Sequence, residues 1–190
     1  MTEAIAAGVD WVQIRERELT GEALCRLIEA LRNTAAQRAP EAAEHVKWIV
    51  NRRVDVALAL QLDGVHLGYD AMEPQQARQL LGSSALIGVS THSVEEAFAA
   101  AQAGADYVHL APIQPPLSKA AERPALGFSA LTKTARAGIP VLAQGGIDVH
   151  NAGEAIAAGA AGIAVTGAIL NSENPAAATV ALRSALDAAA

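Results

Sequence analysis

One pattern recurs four times along this chain: an Ala-rich helix end, a short break, then a short apolar strand. It reads Ala4-Ile5-Ala6-Ala7-Gly8-Val9-Asp10-Trp11-Val12-Gln13-Ile14, then Ala57-Leu58-Ala59-Leu60-Gln61-Leu62-Asp63-Gly64-Val65-His66-Leu67. It returns as Ala99-Ala100-Ala101-Gln102-Ala103-Gly104-Ala105-Asp106-Tyr107-Val108-His109-Leu110, and as Ala155-Ile156-Ala157-Ala158-Gly159-Ala160-Ala161-Gly162-Ile163-Ala164-Val165. Gly8, Gly104 and Gly159 stand where a left-handed residue ends a helix. The strands that follow are nearly continuous in apolar character, as strands buried on both faces of a parallel sheet are. The copies lie 53, 43 and 55 residues apart, the spacing of every second β/α unit and too long for a solenoid.

Further apolar runs fall between the copies, which predicts seven strands near 11–15, 46–51, 64–67, 85–89, 106–111, 139–143 and 162–166. Helical patterns fall near 20–37, 53–60, 74–81, 93–103, 128–136, 151–158 and 175–188. Ser93-Val94-Glu95-Glu96 and Asn151-Ala152-Gly153-Glu154 have the spacing of a capping box, and Asn174-Pro175 reads as an N-cap followed by Pro at N1. Strict alternation leaves a (β/α)8 barrel or an open doubly wound sheet. The absence of GxGxxG after an early strand weighs against the dinucleotide-binding version of the latter. The expectation is an α/β fold, a TIM-type barrel lacking its first strand, with seven parallel strands and about eight helices. No linker or low-complexity stretch divides it, so residues 1–190 read as one N-terminally short domain. Only 3% of the residues are aromatic while Ala abounds, which suits helices lying close on a flat layer.

Other classes drop out on charge and composition. A net charge of −6 spread along the chain offers no electrostatic footprint for nucleic acid or an anionic membrane. The one cysteine, Cys25, sits in a helical pattern and excludes metal-binding cysteine clusters. No apolar run approaches the ~20 residues that span a bilayer, and Met1-Thr2-Glu3-Ala4 lacks the start of a signal peptide. A cytoplasmic protein is expected, with assembly into a homo-oligomer left open.

In a barrel the chemistry sits at the C-terminal mouth, so the residues just after each strand carry the functional reading. Gly145-Gly146 and Thr166-Gly167, after the last two strands, match a phosphate cup built from exposed backbone N–H groups; the plainer alternative is two tight turns. His92 is the one histidine in a predicted mouth loop. It directly precedes the N-cap Ser93, at the positive end of a helix, which favours a neutral imidazole able to take a proton. His66 and His109 occupy equivalent repeat positions and read as interior hydrogen-bonding residues, whereas His45 and His150 read as exposed. Arg15 and Arg17 lie on one side of a strand end with Gln13 behind them, either as an anion clamp or, for Arg15, as half of a structural salt bridge. The substrate-binding candidates are Gln13, Arg15, Arg17, Asn51, Ser90 and Lys119.

These residues, in order, resemble the thiamine phosphate synthase family and its TenI-type relatives. The resemblance rests on Gln13-Ile14-Arg15-Glu16-Arg17, Asn51-Arg52-Arg53-Val54-Asp55, Gly64-Val65-His66-Leu67-Gly68 and Ile87-Gly88-Val89-Ser90-Thr91-His92-Ser93. It continues through Gly104-Ala105-Asp106-Tyr107-Val108, Pro140-Val141-Leu142-Ala143-Gln144-Gly145-Gly146-Ile147 and Gly162-Ile163-Ala164-Val165. It implies action on the thiazole half of thiamine. The synthase joins a pyrimidine diphosphate to a thiazole phosphate with Mg²⁺ held by carboxylates.

Departures from the synthase pattern separate two branches. The family's Asn-Asp is Asn51-Arg52 here, a cation in place of a metal carboxylate. Its Gly-Gln-x-Asp is Gly68-Tyr69-Asp70-Ala71, its clamp lysine is Arg17, and its Thr-x-Thr-Lys is Pro116-Leu117-Ser118-Lys119. Gly68-Tyr69 is similar to the TenI-type branch, whose members need no metal and tautomerise a carboxythiazole phosphate with a loop histidine. The expected function is that thiazole tautomerase, with no cofactor. His92 would shuttle the proton, Arg15 or Lys119 would meet the substrate carboxylate, and Gly145, Gly146, Thr166 and Gly167 would hold its phosphate. The alternatives are a divergent synthase with Asp70 recruited for Mg²⁺, and a non-catalytic barrel that binds a phosphorylated ligand. By the same resemblance a first strand is expected ahead of Met1.

Overall fold

The computed structural model describes residues 1–68, 71–115 and 123–189. The seven strands are β1 (Trp11–Ile14), β2 (Lys47–Asn51), β3 (Gly64–Leu67), β4 (Leu86–Thr91), β5 (Tyr107–Leu110), β6 (Val141–Gln144) and β7 (Gly162–Ala164). They pair in chain order, all parallel, so β1 and β7 are the two edges of an unclosed ring. The repeat thus placed every strand to within two residues at either end. Strand β6 starts at Val141 because Pro140 has no N–H for the ladder; its carbonyl accepts from Val108 instead (3.0 Å).

Helices cover the outer face: α1 (Thr2–Ala6), α2 (Gly21–Arg38), α3 (Pro40–His45), α4 (Val54–Ala59), α5 (Pro74–Leu81), α6 (Val94–Gln102), α7 (Phe128–Thr134), α8 (Ala152–Ala157), α9 (Gly167–Leu170) and α10 (Pro175–Asp187). Among the described residues that is ten where about eight were expected. The additions, α3 and α9, span six and four residues, too short to show a helical period in the sequence. Ser93 caps α6 by accepting from the Glu96 N–H (3.1 Å), and Asn174 caps α10 through Ala177 (2.9 Å), as their spacings indicate. Asn151 makes no side-chain cap. Its amide accepts from Asp148 N–H (2.9 Å) and donates to the Gly146 carbonyl (2.8 Å), which ties the loop after β6 to the start of α8.

The acid of the repeat has a defined use. Asp63, just before β3, accepts from the Trp48 N–H of β2 (2.8 Å), and Asp106, just before β5, accepts from the Ile87 N–H of β4 (2.6 Å). Each aspartate therefore satisfies a backbone donor at the foot of the preceding strand, where the ladder begins. Arg78 on α5 reinforces the second of these, bonding Asp106 and the Ala85 carbonyl, each at 2.5 Å. Asp10, at the equivalent place before the edge strand β1, accepts from Arg183 of α10.

Alternate strand residues face outward and inward. The outward set builds two apolar layers under the helices. One gathers Val12, Val50, Val65 and Ile87 with Leu24 and Ile28 of α2; the other gathers Val108, Leu110, Val141 and Ala143 with Leu131 and Leu182. The layers share Val9 and Val89. The inward set is mixed: Gln13, Asn51, His66, Ser90, His109 and Gln144 line the interior together with Trp11, Ile49 and Leu142. An apolar outer shell thus holds a lumen that carries most of the polar strand side chains.

Candidate functional site at the strand ends

Residues from all seven strands line one cleft of ≈ 1660 Å³ that runs from the mouth into the ring. Its floor is a hydrogen-bonded group. Nε2 of His66 lies 2.9 Å from Ser90 Oγ and its Nδ1 lies 3.2 Å from the Tyr107 hydroxyl. Nδ1 of His109 lies 3.2 Å from Gln144 Oε1, and the two imidazoles stack with centroids 4.1 Å apart. Burial holds His66 well below the ordinary imidazole range, helped by its neighbours His109 and Arg15. Burial likewise pushes His109 down to about 4, although its bond to Gln144 opposes the shift. Burial raises the Tyr107 phenol, so it stays protonated. The floor is therefore neutral near pH 7, as expected for interior hydrogen-bonding histidines.

Tyr107 fits there because position 88 has no side chain. A Cβ on Gly88 would lie 2.1 Å from the Tyr107 ring. The ring also meets Trp11 of β1 edge-on, with centroids 4.9 Å apart.

His92 sits on the cleft wall, half-buried, at the end of β4. Its Nδ1 lies 2.7 Å from the Ala111 carbonyl, an acceptor only, so Nδ1 carries the proton and Nε2 is left as the acceptor of the neutral ring. The His92 backbone N–H donates to the Glu96 carboxylate (2.6 Å), which fixes the loop against α6.

Above the floor the cleft is cationic. Arg15, Arg17, Arg52 and Arg123 all line it, against Glu16 alone among the carboxylates of the described mouth loops. Among the described residues Arg15, Arg17 and Arg123 have no carboxylate partner. Arg52 ends β2 with a φ of 65°, its N–H bonded to the His66 carbonyl (2.8 Å). Arg123 belongs to a loop pinned by two backbone bonds of 2.9 Å, Leu126 to Pro112 and Gly127 to Ile113. Neither Arg52 nor Arg123 was among the binding candidates; Arg123 lies in a loop with no periodic signal.

On the opposite rim stands the glycine loop. Gly145 and Gly146 have φ of 87° and 64°. A Cβ on Gly145 would lie 2.9 Å from Pro112, and one on Gly146 would lie 2.4 Å from the Pro115 carbonyl. Both positions need glycine for conformation and for space. Gly145 and Thr166 line the cleft, while Gly146 and Gly167 stand next to them outside its lining. Gln13, Arg15, Arg17, Asn51, Ser90 and His92 are all brought together in the lining. Lys119 and Asp70 lie outside the described residues. Among the described residues no group of three or more His, Cys, Asp and Glu side chains is placed to hold a metal ion. With a guanidinium at Arg52, this donor set does not fit a divalent cation.

Comparison with known proteins places the chain in a family. The family described as thiamine monophosphate synthase matches residues 1–169. A thiamine-phosphate synthase of Chlorobium luteolum is 43% identical over 173 residues, covering 90% of this chain and 79% of that protein. A putative thiamine-phosphate synthase of Geobacter sulfurreducens is also 43% identical over 173 residues, covering 90% and 78%. The solved structure of a thiamine phosphate pyrophosphorylase from Pyrococcus furiosus superposes with a TM-score of 0.85 at 31% identity, covering 99% of this chain and 88% of that one.

Proposed function

This chain belongs to the thiamine monophosphate synthase family, within thiamine biosynthesis, and from that membership we propose that it carries out the synthase condensation. The reaction joins a pyrimidine diphosphate to a thiazole phosphate. The observation that carries this reading is the charge at the mouth of the cleft, where Arg15, Arg17, Arg52 and Arg123 stand with Glu16 and a glycine loop in the same lining. One phosphorylated ligand would need fewer cations; two ligands with three phosphoryl groups between them match the supply. The names of the relatives support the synthase over the tautomerase expected from the missing carboxylates.

In this reading Gly145 and Thr166 hold the thiazole phosphate, and Arg15 and Arg17 meet the diphosphate. Gln13, Asn51 and Ser90 offer hydrogen bonds to the pyrimidine. The thiazole nitrogen donates its lone pair to the pyrimidine methylene carbon as the carbon–oxygen bond to diphosphate breaks. Diphosphate leaves with that electron pair, and no proton passes between the reactants. The guanidinium groups stabilise the charge that grows on the leaving oxygen. Magnesium, which the family resemblance implies, does not fit the described donors, so no step runs through it. Residues 1–190 act as one domain in this proposal, in the cytoplasm.

A second reading has its own observation. His92 lines the cleft with its Nδ1 held by the Ala111 carbonyl, so a carboxythiazole phosphate bound there meets one imidazole whose Nε2 can move one proton between two carbons. Both reactions are assayed on one folded preparation. Coupled product is expected; its absence alongside tautomerisation that His92→Ala abolishes would replace the first reading with the second.

A further inference from the structure

His109 brings to the floor of the cleft a ring nitrogen that the protein leaves without a partner. Strand β5 alternates Val108 and Leu110, buried beneath the helices, with Tyr107 and His109 on its inner face. Nδ1 of His109 lies 3.2 Å from Gln144 Oε1, which only accepts, so Nδ1 carries the proton and Nε2 is the acceptor of the neutral ring. Among the described residues no hydrogen bond reaches that Nε2. Thr134 Oγ1 is the only side-chain polar atom of the described residues that is both sealed and unpartnered, so Nε2 of His109 is reachable from the cleft that the residue lines. With His109 only 6% exposed, bulk water compensates this acceptor poorly. A donor brought by a ligand would satisfy it.

The surroundings set the kind of ligand. The ring centroids of His66 and Tyr107 lie 4.1 and 5.6 Å from that of His109, and Ser90 is its partner across the β4–β5 ladder. Burial keeps all three rings uncharged. A phosphate gains little over such a floor and finds its cations at the rim. A flat, uncharged heterocycle with an N–H donor matches both the rings and the vacant acceptor.

We propose that His109 is a specificity-determining residue whose Nε2 accepts a hydrogen bond from an amino group on the heteroaromatic ring bound over the floor. Gln144 positions it, holding the other ring nitrogen as the donor. The inference deepens the condensation reading and rests on it for the identity of that ring as the pyrimidine half; the thiazole nitrogen, which gives its lone pair to the new bond, has no proton for this acceptor.

The test uses aminopyrimidine and methylpyrimidine with the substituent on the same carbon, alike in shape and different in the donor. Each is titrated into the full chain carrying ¹⁵N in its histidine rings. The amino compound is expected to bind about tenfold more tightly, as a site built to pair an N–H rejects the analogue that lacks it. It is also expected to shift the His109 Nε2 resonance, which the methyl compound leaves in place. His109→Phe keeps a ring beside His66 and removes the acceptor, so the two affinities are expected to become equal. The ¹⁵N measurement on the unaltered chain keeps the test decisive if that variant does not fold.

Equal affinity for the two compounds, an unmoved His109 Nε2 resonance, or an amino preference intact in His109→Phe would each overturn the proposal. Condensation observed beside any of these would leave the proposed reaction standing and remove His109 from it. An amino preference that His109→Phe abolishes, with no coupled product, would keep the acceptor and reject the condensation.

Discussion

The imidazole of His66 bridges the Ser90 hydroxyl, 2.9 Å from its Nε2, and the Tyr107 hydroxyl, 3.2 Å from its Nδ1. A buried neutral ring has one nitrogen that donates and one that accepts, so it links the Tyr107 and Ser90 hydroxyls in one hydrogen-bonded chain without carrying charge. The polar floor of the cleft is thereby ordered while the cations above keep their full attraction for anions.

Keeping this floor neutral makes stability depend on pH. Burial lowers His66 well below its ordinary range and takes His109 to about 4 from an unfolded value of 6.5. Above pH 6.5 both states are unprotonated at these rings, and nothing is lost. As pH falls from 6.5 toward 4 the unfolded chain binds protons that the folded chain refuses, so stability falls. The His109 contribution is about 3 kcal/mol. Urea midpoints measured at pH 7, 5.5 and 4.5 check this, with His109→Gln expected to flatten the slope. An identical slope in that variant would contradict it.

Gly88→Ala forces a methyl group into the Tyr107 ring. The expected loss is about 1–3 kcal/mol, as for overpacking elsewhere. Tyr107→Leu in the same chain should recover part of it, and a double-mutant cycle reads the coupling. Strictly additive losses would show that the ring and position 88 do not compete for the same space.

Gly146→Ala meets both a positive φ and the Pro115 carbonyl. It is expected to lose more than about 1 kcal/mol and to weaken binding of thiazole phosphate, since Asn151 ties the Gly146 carbonyl to α8. Chemical denaturation and ligand titration together test it; an unchanged affinity would separate this loop from the phosphate.

Asp63→Ala removes the acceptor for the Trp48 N–H at the foot of β2. A part-buried donor left without its charged partner costs about 1–3 kcal/mol. Asp63→Asn keeps an acceptor oxygen and should lose less. Amide exchange at Trp48 is the direct readout, expected to quicken in the alanine variant.

Much of this was legible in the chain because it is local. A strand buried on both faces announces itself by apolar character, and the glycine before it by its place after a helix. The mouth loops then follow from strand order, which is how Gln13, Arg15, Arg17, Asn51, Ser90 and His92 were found. One-turn helices such as Pro40–His45 have no period to read. Asn151 has the spacing of a cap, yet its amide turns back to the loop before it, where Asp148 N–H and the Gly146 carbonyl satisfy both its acceptor and its donor.

The sequence by itself determined the repeat, the seven strands, the polar mouth and the family, since each rests on neighbours a few residues apart. Pairing choices belonged to the tertiary structure. It left Arg15 without a carboxylate among the described residues, set Tyr107 over Gly88, gave His92 its tautomer through Ala111, and added Arg52 and Arg123 to one cleft. The reason is physical: a charge or a hydrogen bond acts over a few ångströms of space, and which groups share those ångströms is set by the closing of the sheet.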